Sequence, residues 1–119
     1  MADYRRFTKE DWYGWGGATQ FKNGQEPFIY EQKLNNGDVD MTVIVDAAGV
    51  SISMLCEYDD EPEAMTWSYE QELTSIKAEG IMRALVKKLK EYDYAPDLSY
   101  ELDHQSCDEF KKFEYMGEF

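Results

Sequence analysis

The sequence predicts an α+β fold: an antiparallel meander of three to four strands, one long helix packed on one face of it, and short helices near the N- and C-terminal ends. Three observations predict it. Between residues 28 and 58, apolar residues recur at every second position in successive runs, the period of a half-buried strand. Short stretches rich in Asn, Gly and Ala separate those runs, as hairpin turns require. From residue 76 to about 92 the spacing changes to threes and fours, the period of an amphipathic helix.

The elements follow in order. Thr8 precedes Lys9, Glu10 and Asp11, so its hydroxyl can cap a short helix whose first turn carries acids suited to the positive end of the dipole; Gly14, Gly16 and Gly17 stop it early. Phe28, Tyr30 and Leu34 alternate with Ile29, Glu31 and Lys33 in a first strand, and Asn35-Asn36-Gly37-Asp38 turns the chain. Val39, Met41, Val43 and Val45 share one face of a second strand. After a turn at Ala47-Ala48-Gly49, Val50, Ile52, Met54, Cys56 and Tyr58 share one face of a third. An acidic turn at 59–63 leads to Met65, Trp67, Tyr69 and Gln71, which alternate with Thr66, Ser68, Glu70 and Glu72 in a fourth strand whose polar face carries acid. Ser75 caps the long helix, with Ile81, Leu85 and Leu89 toward the sheet and Gly80 marking a close approach to it. Ser106 caps a last helix through Phe110, Phe113 and Tyr115.

The chain has 119 residues, enough for one core, and is read as a single acidic domain spanning 1–119. Its content is 43% hydrophobic and 15% aromatic, which places it among folded chains although 31% of its residues are charged. Twelve basic residues stand against twenty-five acidic ones, a formal charge of −13 that repels phosphates and anionic headgroups. That field excludes direct nucleic-acid and membrane-surface binding and favours a basic partner. No apolar run reaches the length of a signal-peptide core or of a membrane span, so the expected location is cytoplasmic, where Cys56 and Cys107 rest as thiols unless a metal claims them.

The charge is unevenly placed. Residues 57 to 72, EYDDEPEAMTWSYEQE, hold seven carboxylates and no Lys or Arg, and residues 91 to 119 hold nine acids against two lysines. Between 76 and 90, five cations stand against Glu79 alone.

No catalytic residues are assigned. Asp59, Asp60 and Glu61 sit in a turn beside Pro62, without the apolar cleft that separates the pKa values of a working acid–base pair, and the run lacks the order of a calcium loop. Trp12-Tyr13-Gly14-Trp15-Gly16-Gly17 lacks the Lys-Ser/Thr ending of a phosphate loop and is read as core packing of the N-terminus, the alternative being a recognition edge. His104 and Cys107 lie three residues apart, and with Cys56 they would supply three zinc ligands if the tail returned to the sheet. The competing reading is two buried thiols and a surface histidine.

In overall character the chain resembles the small acidic inhibitors encoded by phages, including anti-CRISPR proteins and other DNA mimics, through the EYDDEPEAMTWSYEQE run and the acidic tail from Glu91. The resemblance implies a non-enzymatic inhibitor whose carboxylates take the place of phosphates on a basic, nucleic-acid-binding partner, a CRISPR effector nuclease being one such. The contact residues expected on this reading are Glu57, Asp59, Asp60, Glu61, Glu63, Glu70 and Glu72. The rival expectation is a small structural or assembly protein of a phage or mobile element, in which acidity serves solubility.

Overall fold

In a computed structural model, which describes residues 3–34, 39–58 and 61–118, the chain forms one six-stranded antiparallel sheet backed by two main helices. In chain order the elements are β1 (Arg5–Arg6), α1 (Lys9–Gly14), β2 (Phe28–Leu34), β3 (Val39–Val45), β4 (Gly49–Tyr58), β5 (Glu61–Glu70), α2 (Ser75–Leu89), α3 (Ala95–Asp103), a single 3₁₀ turn at Asp108–Phe110 and β6 (Glu114–Glu118). The strands lie side by side in sequence order, β1 to β6.

This corrects the expected meander of three to four strands with one long helix and a short C-terminal helix. The two added strands are the edges. β1 is two residues long, Arg5 opposite Ile29 and Arg6 opposite Phe28, too short to show a period in the sequence. β6 occupies the segment assigned to a last helix: after one 3₁₀ turn the chain extends, and Tyr115 pairs with Trp67 while Gly117 pairs with Thr66. The register slips at Met116, so a bulge in a short strand hides the alternation that would have revealed it. The helical part is also divided. α2 ends at Leu89, and α3 starts with Pro96 in its first turn, where the missing N–H costs nothing.

The turn expected at Asn35–Asp38 lies outside the described residues, as do Asp59 and Asp60. β4 pairs with β5 along its whole length, from Gly49 opposite Glu70 to Tyr58 opposite Glu61.

One face of the sheet carries the core. Tyr30 lies opposite Val43, Val43 opposite Ile52, and Ile52 opposite Trp67, all buried. Ala78, Met82, Leu85, Val86 and Leu89 of α2 and Leu98 and Leu102 of α3 cover them, together with Phe110 and Phe113. Gln32 interrupts the apolar alternation of β2 for a reason: its amide donates to the carbonyls of Leu89 (3.1 Å) and Tyr92 (2.9 Å) and so ties the turn that follows α2, in which the Tyr92 amide also donates to Leu89, to the sheet.

The other face has a smaller cluster of Phe7, Ile29 and Ile44, on which Trp12, Trp15 and Ala18 pack. The aromatic–glycine stretch therefore does fasten the N-terminus to the sheet, although Tyr13 points away and is 91% exposed. Two local details differ from expectation. Thr74, not Ser75, caps α2, accepting from the Lys77 amide at 3.2 Å, because the Ser75 hydroxyl is buried and donates to Gln25 at 2.6 Å. Gly80 does not approach the sheet; it lies on the exposed side of α2, with no atom within 4 Å of where a Cβ would stand.

Asp11 ties α1 to the sheet edge. Its carboxylate accepts from the Thr8 amide (2.7 Å), the Thr8 hydroxyl (3.1 Å) and the fork of Arg5, whose second nitrogen also reaches Glu31 at 3.1 Å. The Arg5 hydrogen bonds outweigh burial and hold the Asp11 carboxyl at about 2, below its ordinary 3.8. Because the folded state favours the charged form, this stability is fully present above about pH 4 and fades as pH falls through about 2. Asp11→Asn should therefore be less stable than the native chain at neutral pH by about 1 to 2 kcal/mol, the smaller figure allowing for water at the half-exposed Arg5. Denaturant midpoints of the two proteins should converge as pH drops from about 4 to about 2; parallel curves across that window would exclude Asp11 as the titrating group.

Candidate functional site

The acidic surface is organised by the β4–β5 hairpin and by the chain that follows α2. β5 alternates as its sequence predicts: Met65 and Trp67 point into the core, Tyr69 is half-buried against Phe113, and Thr66 and Ser68 line the opposite face. Trp67 is fully buried, and its indole donates to the Asp103 carboxylate at 2.7 Å, so an acid of the tail caps the aromatic beneath the sheet.

The alternation also corrects where the acid lies. Over its middle, the outer face of the sheet is neutral: Ser51 faces Ser68, Ser53 faces Thr66 with their hydroxyls 3.2 Å apart, and Leu55 faces Ala64. The described acidic positions of the segment lie toward the two ends of the β4–β5 ladder. The backbones of Glu57, Glu61 and Glu63 are at the hairpin end, in register with Pro62, Tyr58 and Cys56 respectively. Glu70 and Glu72 are at the other end, nine strand residues beyond Glu61, about 30 Å away at the rise of a strand. The five expected contact residues that are described, Glu57, Glu61, Glu63, Glu70 and Glu72, thus form two groups along the chain, not one cluster.

Within the second group Glu72 is paired with Lys22 at 2.7 Å; the lysine's hydrogen bond pulls the carboxyl below its ordinary range, and both side chains are exposed to solvent. Glu70 is exposed at the end of the strand.

The acidic tail meets the same hairpin. β6 is hydrogen-bonded to β5, with Glu114 opposite Ser68 and Glu118 opposite Met65, so the tail runs along the outer edge of the acidic strand. α3 turns Ala95, Leu98, Ser99 and Leu102 inward and leaves Asp97, Tyr100 and Asp103 at the surface. Tyr100 is 59% exposed, and its ring stacks on His104 with centroids 3.9 Å apart. This face was not expected, because Pro96 reads as a boundary. The signal was the spacing of Ala95, Leu98, Ser99 and Leu102 directly after it.

The three candidate zinc ligands are placed as follows. His104 is exposed, with Nδ1 2.9 Å from the Tyr100 carbonyl. Cys107 packs against the main core, where burial, joined by Glu109, pushes its thiol above the ordinary range. The backbone of Cys56 lies on β4 opposite Glu63. Among the described residues, no three His, Cys, Asp or Glu side chains converge on a point that could hold a metal.

The cations gather elsewhere. Lys77, Arg83, Lys87 and Lys90 line the exposed side of α2, and Tyr4 binds there through its hydroxyl, donating to Glu79 at 2.8 Å and accepting from Arg83 at 3.2 Å. No described helix is long and apolar enough to cross a membrane. No family model matches the chain, and comparison with curated proteins and with solved structures also finds no match.

Proposed function

We propose that the protein is a non-enzymatic, cytoplasmic binding protein that inhibits a nucleic-acid-handling protein by covering its basic surface, in the manner of an anti-CRISPR protein or DNA mimic. The supporting observation is the pairing of β6 with β5, which brings acids of the tail to both acidic ends of β5: Glu114 lies opposite Ser68, two residues from Glu70, and Glu118 lies opposite Met65, two residues from Glu63, although the cation-rich α2 separates the two stretches in sequence. Carboxylates so placed compete with phosphates for a groove lined by Lys and Arg, and the net charge of −13 speeds the encounter with such a groove. The partner on this reading is a basic nucleic-acid-binding protein, a CRISPR effector nuclease being the class to test.

The test is cleavage of target DNA by a panel of effector nucleases, with and without the protein. Inhibition of at least one is expected, with an association rate that falls more than about tenfold between about 50 and 500 mM salt. Reversing Asp59, Asp60 and Glu61 to Lys should relieve the inhibition while the melting temperature stays within a few degrees of the native value. A flat salt dependence, or full inhibition by the triple variant, would remove the acidic surface from the mechanism.

A second reading, a small structural or assembly protein of a phage or mobile element, has one observation in its favour: the cations of α2 give the molecule a basic side as well as an acidic one. Absence of inhibition across the panel, together with specific self-association, would select it.

A further inference from the structure

We infer that the exposed side of α2 is a docking face for a second copy of this chain, which it receives through the outer face of α3. The inference stands apart from the inhibitory reading and rests on different residues.

Two observations on α2 carry it. Gly80 sits inside a 15-residue helix, where glycine is unfavourable relative to almost any other residue, yet the space where its side chain would be is open to solvent. Packing within the molecule therefore does not require a glycine there. With Ala84 one turn further on, it leaves a shallow notch in an exposed helix face, the feature that lets another chain approach closely. The notch is bordered by two exposed cations one turn apart: Arg83 is already held by Glu79 at 3.5 Å and by the Tyr4 hydroxyl at 3.2 Å, whereas Lys87 has no hydrogen-bond or ion-pair partner among the described residues and is the cation open to another chain.

α3 carries the complement. Tyr100 projects from its surface and is braced by the stacked His104, so a large aromatic side chain is held ready with little entropy left to lose. Asp97 and Glu101 flank it, one turn apart, matching the spacing of Arg83 and Lys87; Glu101 is half-buried and accepts from the Ser106 hydroxyl, whereas Asp97, like Lys87, has no partner among the described residues. Tyr100 of one copy over the Gly80–Ala84 notch of another sets Asp97 and Glu101 beside Arg83 and Lys87. Because two different faces meet, the contact is head-to-tail, and each added copy presents a fresh face for the next.

Sedimentation velocity on the full chain tests this. Association that grows over about two decades of concentration at about 50 mM salt, and disappears at about 500 mM, is expected. Gly80→Gln fills the notch with a better helix former, so it should raise the melting temperature by a few degrees yet leave the protein monomeric. Gly80→Gln and Asp97→Lys should each be monomeric alone, whereas their mixture retains one native pair of faces and should stop at a dimer. Circular dichroism melts confirm that each variant is folded. A native chain that stays monomeric throughout, a Gly80→Gln protein that still associates, or a mixture that gives no dimer would overturn the proposal. So would binding of a polyglutamate peptide by a chain that does not bind itself, which would assign the face to a foreign acidic segment.

Discussion

Truncating Trp67 to alanine is expected to remove about 3 to 5 kcal/mol of stability, a large share of what a domain of this size has. The indole is fully buried at the centre of the sheet, opposite Ile52 on one side and Tyr115 on the other, so its loss leaves a void lined by residues of three strands. It also leaves the Asp103 carboxylate without its donor at 2.7 Å, although that acid lies near enough to the surface for water to replace the bond in part. Trp67→Phe separates the two contributions. It keeps most of the volume and loses the hydrogen bond, so its cost should fall well below that of the alanine variant. Denaturant titration of the three proteins checks the order, and an alanine variant within about 1 kcal/mol of native would mean that the sheet collapses around the void far better than rigid packing allows.

The second large effect is expected at Gly49, the first residue of β4. A Cβ placed there would stand 2.2 Å from the carbonyl oxygen of Tyr69 and 3.1 Å from the Cα of Glu70. Both are backbone atoms of the paired strand, so no side-chain rotation relieves the overlap. The local φ of +156° adds to the difficulty for an L-residue. Gly49→Ala must therefore push β4 and β5 apart where Asp46 organises the turn, its carboxylate accepting from the amides of Ala48 and Gly49 at 2.9 Å each. A loss of about 3 kcal/mol is expected, with the melting temperature lowered by more than about 10 °C. A midpoint unchanged within about 0.5 kcal/mol would show that the turn re-forms around the methyl group at little cost.

What could be read in the sequence divides along a physical line. Period-two alternation is a local signal, and it correctly sends Trp67 inward and Thr66 and Ser68 outward, because a strand has no other way to orient successive side chains. It also shows that the middle of β5 contributes no acid to the outer face, a consequence of parity that counting carboxylates over 57–72 conceals. Edge strands are harder to see. β1 has two residues, and β6 carries a bulge at Met116, so neither shows the repeat on which recognition depends. α3 was hidden by Pro96, which reads equally well as the end of one helix or the start of another. The bond between Trp67 and Asp103 joins residues 36 apart, and the fork of Arg5 on Asp11 depends on where α1 crosses the edge strand. Such pairs are products of tertiary geometry, and no local spacing encodes them. The adjacency of the acidic stretches belongs to the same class, since it follows from β6 lying beside β5.

The order of the strands also bears on how the molecule is made. Strands β2, β3 and β4 each pair with the strand that follows, so each of these hairpins closes a short loop and can form while later residues are still being synthesised. β6 differs, because α2, α3 and the 3₁₀ turn are threaded between it and its neighbour. Until residues 114 to 118 arrive, one side of β5 has unpaired amides and carbonyls, and Trp67 is without Tyr115 over its ring. The nascent protein thus passes through a stage with an open, aromatic-bearing edge, the kind of surface that recruits chaperones and drives misassembly. Docking of β6 is the step that ends this exposure.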